Sequence, residues 1–101
     1  MYARIARFEG ADPARMDEGI AMSKEMVESS WDAPPEGLDD ATGVLMLVDR
    51  ESGRSLGITL FASEEGMRRG HEALDAMTPP GGDGSRRASV EFYEVALHKD
   101  R

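Results

Sequence analysis

Five apolar residues in a row, Val44-Leu45-Met46-Leu47-Val48, stand near the middle of this 101-residue chain. Polar residues follow, Asp49-Arg50-Glu51-Ser52-Gly53-Arg54, and then a second apolar stretch from Leu56 to Phe61. Successive side chains of a strand point to opposite faces, so an unbroken apolar run predicts burial on both sides. Gly53 stands where a left-handed residue would close a turn, which makes residues 44 to 61 a hairpin. On its returning arm Leu56, Ile58 and Leu60 point one way, Thr59 and Phe61 the other. Leaving a large side chain of such a face in water forfeits about 1.5–3 kcal/mol. Whatever this chain builds must therefore cover a hairpin on two sides.

The remaining sequence offers cover for one. Tyr2 to Phe8 reads as a strand ending at Gly10, and Asp12-Pro13 as a helix start, with Asp accepting from first-turn amides and Pro tolerated at the first position. Met16, Ile20, Met26 and Val27 form the apolar stripe of that helix, which stops near Ser29-Ser30. A loop runs from Trp31 through Pro34-Pro35 to Gly43. Ser63 caps a second helix, with Glu64 and Glu65 at its positive end and Met67, His71, Leu74 and Met77 facing inward. The breaker cluster from Thr78 to Gly84 is expected to be the most mobile segment. Ser89 to Leu97 supplies the last strand and His98 to Arg101 a polar tail. The order is βαββαβ in one domain spanning 1–101: an α+β, ferredoxin-like fold, a four-stranded antiparallel sheet with both helices on one face. Pairing two such sheets face to face in a homodimer would cover the other side. The alternatives are that the apolar strand is central in its sheet, or that the loop from 31 to 43 covers it.

Composition narrows the chemistry. Acids outnumber bases 20 to 12, for a net charge of −8, and the basic residues are scattered. Phosphate binding needs clustered Lys and Arg, so nucleic acid and anionic membrane surfaces are not expected partners. No apolar run approaches the ~18 residues that span a bilayer, and patterned sequence begins at Met1-Tyr2-Ala3-Arg4, which points to the cytoplasm. Cysteine is absent, excluding disulfides, thiolate nucleophiles and zinc–thiolate sites. Asn and Gln are absent as well, so no mechanism here can draw on a side-chain carboxamide.

Several segments together carry a family resemblance. They are Met1-Tyr2-Ala3-Arg4, the hairpin from Val44 to Arg54, Ile58-Thr59-Leu60-Phe61 with Ser63-Glu64-Glu65, and Val90-Glu91-Phe92-Tyr93-Glu94-Val95. They resemble the dimeric α/β-barrel superfamily, in particular its antibiotic-biosynthesis-monooxygenase-like domains. That resemblance implies a homodimeric barrel of two ferredoxin-like protomers and a ligand cleft between sheet and helices, with cofactor-free chemistry as in the oxygenases. The carboxylates show no calcium-loop spacing and no two-His zinc motif occurs, so no metal is expected. Related domains include oxygenases of quinol-type aromatics, haem-degrading enzymes, isomerases and stress-response domains. The Asn on which the oxygenases and haem degraders rely has no counterpart here. Of the Asn, Trp and His set of haem degraders, only Trp31 and His71 could correspond.

His71 lies on the apolar stripe, four residues after Met67 and three before Leu74. An imidazole there could act as general base toward a phenol or enol, or be a bonded histidine at the edge of the core. Arg4 and Arg7 are an odd number apart, so one faces a covered side, to pair with Glu91 or Glu94 or to anchor an anion. Trp31, Phe61, Phe92 and Tyr93, with Met22, Met26, Met67 and Met77, could line an aromatic cleft or simply fill the core. Gly66 and Gly70, one turn apart, point to close approach of helix and sheet, or to room for a ligand. The expected site is thus His71 as catalytic base, with Arg4, Trp31, Phe61, Met67 and Tyr93 around a small aromatic ligand. The other reading is a non-enzymatic ligand-binding or interaction domain of the same fold.

Overall fold

The computed structural model describes residues 1–77 and 84–101. Strand β1 (Tyr2–Glu9) leads through a 3-10 turn (Pro13–Arg15) into helix α1 (Met16–Ser30). Strands β2 (Ala41–Asp49) and β3 (Arg54–Phe61) form the hairpin, followed by α2 (Glu64–Ala76) and β4 (Arg86–Glu94). All pairings are antiparallel and the sheet order is β2-β3-β1-β4, the ferredoxin-like arrangement expected from sequence. Among the described residues no helix is long and apolar enough to cross a membrane.

Local chemistry places the element ends. Asp12 Oδ1 accepts from the amide of Ala14 at 3.0 Å, and Ser63 Oγ accepts from that of Gly66 at 3.0 Å, each relieving an orphan donor of a first helical turn. In the hairpin turn Asp49 Oδ1 takes the amides of Glu51 and Ser52 at 3.1 and 3.3 Å. Gly53 closes the turn with φ at 73°, and its carbonyl accepts from the amide of Ala11 at 3.1 Å. A Cβ on Gly53 would run into the carbonyl oxygen of Ala11, so this glycine is required on two counts.

Two strand boundaries differ from expectation. β2 begins at Ala41, before the apolar run, because Ala41 and Gly43 find ladder partners in Phe61 and Leu60. β4 runs from Arg86 to Glu94 and not from Ser89 to Leu97. Its register is set by β1, which pairs Glu9 with Arg86 and Tyr2 with Glu94, with an irregularity between Arg7 and Phe8. The Val95 amide still reaches the carbonyl of Met1 at 2.9 Å, but Leu97 stands in solvent. Of the breaker cluster, residues 78–83 lie outside the described residues.

The register fixes which side chains share a face. Val44, Thr59, Arg4 and Phe92 form one row across the four strands. Alternation then puts Val44 and Met46 on the helix side, and Leu45, Leu47, Leu56, Ile58, Leu60, Ile5 and Tyr93 on the other. α2 lies close over β1, β2 and β3, whereas no Cα of α1 comes within 8 Å of a strand Cα. The close approach of α2 depends on its glycines: a Cβ on Gly70 would overlap the ring of Phe61, and one on Gly66 the carboxylate of Asp40. Room for a ligand is therefore not what they provide. Along α1 the less exposed residues are Met16, Gly19, Ile20, Ser23, Val27 and Ser30. Met26 is off this stripe and exposed, being six residues past Ile20 and so about 240° further round the helix.

The core that results is thin. Phe61 and Met16 are its fully buried large side chains, joined by Ala3, Ala6, Ala11 and Met67. The hairpin is not covered on both sides within one copy: Leu45 and Leu47 are 51% and 49% exposed on the open face, and Val44 and Met46 each 40% on the helix face. Both alternatives to a partner are thereby corrected. β2 is an edge strand rather than a central one, and the loop after α1 does not blanket its open side.

Candidate functional site

Parity along β1 decides which arginine enters the fold. Arg4 takes the helix side and is 5% exposed, the buried charged side chain among the described residues. Arg7 takes the open face and pairs with Glu91, to which the Tyr93 hydroxyl also donates at 2.8 Å. The expected pairing of the inward arginine with Glu91 or Glu94 is therefore corrected. Glu91 lies on the opposite face, and the β4 neighbour of Arg4 is Phe92.

Arg4 instead donates from Nε to Nδ1 of His71 at 3.0 Å. The imidazole meets Phe92 edge to face, ring centroids 4.9 Å apart, a favoured aromatic geometry. A ring nitrogen that accepts a hydrogen bond is unprotonated, so the hydrogen of this neutral imidazole sits on Nε2. As placed, His71 presents a donor, and its lone pair is spent on Arg4.

Two further groups frame this pair. Asp75, one turn beyond His71 on α2, accepts from Arg87 of β4 at 2.5 Å. Burial, and then the charge of Arg87, push the Arg4 guanidinium below its ordinary value, with Asp75 pulling partly back. Asp75 is held below the usual carboxylate range, first by its hydrogen bond from Arg87 and then by that cation's charge. Among the described residues Arg4 is within ion-pairing distance of no carboxylate. Asp75 is legible as a neighbour of His71 at i+4. Arg87 is not, because the apolar pattern starts the last strand at Ser89, three residues after its true beginning at Arg86.

The six expected site residues separate into four places. Arg4 and His71 are brought together. Phe61 and Met67 lie with α2 but are buried, so they pack the core and offer no lining surface. Trp31, 49% exposed just past the end of α1, borders an open hollow of about 420 Å³ with Val27, Glu28, Asp32 and Val44. Tyr93 belongs to the opposite face of the sheet, where its proton is held more tightly than usual by Glu91. It cannot share a cleft with His71.

No family model matches the chain. It is 33% identical over 104 residues to the uncharacterized protein Rv2558 of Mycobacterium tuberculosis, covering 99% of this chain and 41% of that protein. The chain thus spans about two fifths of the length of this curated relative. Among solved structures, it is similar to the ActVA-Orf6 monooxygenase of Streptomyces coelicolor in complex with nanaomycin D. The TM-score is 0.59 at 13% identity, covering 98% of this chain and 92% of that one. A dimeric ferredoxin-like protein from an uncultured marine organism gives 0.58 at 10% identity, covering 99% and 98%. An antibiotic biosynthesis monooxygenase gives 0.56 at 13% identity, covering 96% and 100%. The chain has the ferredoxin-like fold of the antibiotic biosynthesis monooxygenases, while the curated relative it matches is itself uncharacterized.

Proposed function

We propose that this chain works as a homodimer of facing sheets and that each protomer holds a small, mostly apolar, aromatic molecule between α1 and the sheet. The observation that carries the cleft is the stand-off of α1. It leaves Val27, Trp31 and Val44 around an open hollow, on the face that also bears Arg4 and His71. Apolar walls with a few convergent polar groups are what small-molecule sites are made of. The homodimer rests on the opposite face, where Leu45, Leu47 and Tyr93 are each about half exposed. An isologous contact would bury that face on both copies at once. Sedimentation in the micromolar range should give twice the protomer mass, and Leu47→Glu should return the protomer. A wild-type protein at protomer mass overturns the dimer.

The similarity in fold to monooxygenases supports a cofactor-free oxygenase as the active form of this site. In that form His71 would take a proton from a phenolic substrate, the deprotonated substrate would reduce dioxygen, and Arg4 would steady the anion. The Arg4–His71 hydrogen bond favours the second reading, a domain that binds without turnover. To act as base through Nδ1 the imidazole must first give up Arg4, and the chain has no carboxamide to hold an oxygen intermediate. Oxygen uptake with a panel of dihydroxyaromatics separates the two. Uptake that is lost in His71→Ala supports the oxygenase. Equal rates in both proteins remove His71 from the chemistry, and no uptake alongside saturable binding leaves the binding domain.

A further inference from the structure

We infer that the molecule held on the helix face carries a carboxylate, gripped end-on by the two Nη groups of Arg4, with His71 as the residue that positions the guanidinium. This rests on the ligand-binding reading above and names the class of ligand. A guanidinium has five N–H donors in a planar fork. Arg4 spends one, from Nε, on His71. No buried side-chain nitrogen or oxygen among the described residues lacks a partner, yet no described residue accepts from Arg4 Nη1 or Nη2. Those groups are therefore not wholly sealed from solvent, although Arg4 as a residue is only 5% exposed. Their spacing matches the two oxygens of a carboxylate, which they can bind in parallel.

Charge points the same way. Within a chain of net charge −8, the charges of the described residues that act on Arg4 are Arg87 and Asp75, and Asp75 is already bonded to Arg87. Removing a cation from water is costly unless it is paired, and a neutral imidazole does not pair it. A carboxylate arriving at Arg4 supplies the missing charge. His71 contributes direction: Nδ1 holds Nε, which fixes the plane of the fork, while the edge contact with Phe92 fixes the ring. The aromatic body of the ligand follows from the same row of the sheet. Val44 of the hollow lies in register with Arg4, two strands away and so roughly 10 Å across.

The test compares 2-naphthoate with 2-naphthamide, which share shape and differ in charge, by calorimetric titration of the whole chain. The wild type should bind the acid at least tenfold more tightly than the amide. Arg4→Gln should bring the two affinities together by weakening the acid at least tenfold. His71→Leu should erode the preference, and His71→Asn, whose side-chain oxygen can accept from Nε, should restore it. Equal affinity of the wild type for acid and amide overturns the carboxylate assignment and leaves the cleft intact. Binding of neither at millimolar concentration overturns the cleft itself and this inference with it.

Discussion

The two helices cover the same face of the same sheet in opposite ways. α2 is drawn down: Ser63 caps it, and glycines at 66 and 70 let its backbone settle against Asp40 and Phe61. α1 is buried only near its start, at Met16 and Gly19, and beyond them stands off, with Met22, Met26 and Trp31 exposed. Propensity does not explain this, since two glycines cost α2 about 1 kcal/mol each relative to alanine. The missing Cβ atoms are used for approach. A sealed helix gives stability and a raised one gives space.

That contrast can be broken by substitution. On the sealed side Phe61→Ala should cost about 3–5 kcal/mol in urea denaturation, the usual loss for an aromatic in a tight core. A cost near that of an exposed residue would mean that α2 is not seated as described. Gly70→Ala should destabilise by about 1–3 kcal/mol, because overlap with Phe61 outweighs the gain in helix propensity. A more stable Gly70→Ala protein would refute the close approach. On the raised side Met26→Ala should stay within about 0.5 kcal/mol, as exposed positions do. A large loss there would place Met26 in an interface, sharpening the contrast into one between a sealed helix and a partner-facing helix.

The smallest effect concerns acid. The folded value of Asp75 lies below its unfolded one, so its stabilisation is complete above the ordinary carboxylate range and is lost as pH falls through the folded value. The difference in melting temperature between wild type and Asp75→Ala should therefore narrow below about pH 4. A difference unchanged from pH 7 to pH 3 would remove the Asp75–Arg87 pair as a tie between α2 and β4.

Much of this architecture could be read in advance where local chemistry governs. Asp12, Ser63 and Gly53 each do the job their residue type suggests, and strand parity put one arginine inside. The failures share a cause, which is dependence on a partner far along the chain. β2 gains Ala41 and Gly43 through their ladder to β3, and β4 is positioned by β1, so neither boundary follows from the apolar pattern. Arg4 and His71 each stand out in the sequence, but their meeting depends on how α2 crosses β1. Residue type alone groups Trp31 and Tyr93 with them. The fold separates them, Tyr93 by pleat and Trp31 by the length of α1.

The turn at Gly53 bears on how α1 can move. Ala11 is bonded to Gly53, Asp17 to Arg50 at 2.7 Å, and Met16 is buried, so the hairpin tip clamps the first turn of the helix. Among the described residues no such hydrogen bond ties the far end to the sheet, and the helix extends for 15 residues, about 22 Å. A tilt of only about 5° at its root would swing the tip by roughly 2 Å. Trp31 rides on that tip, so such a tilt would move one wall of the hollow while Val44, held in the sheet, stays in place.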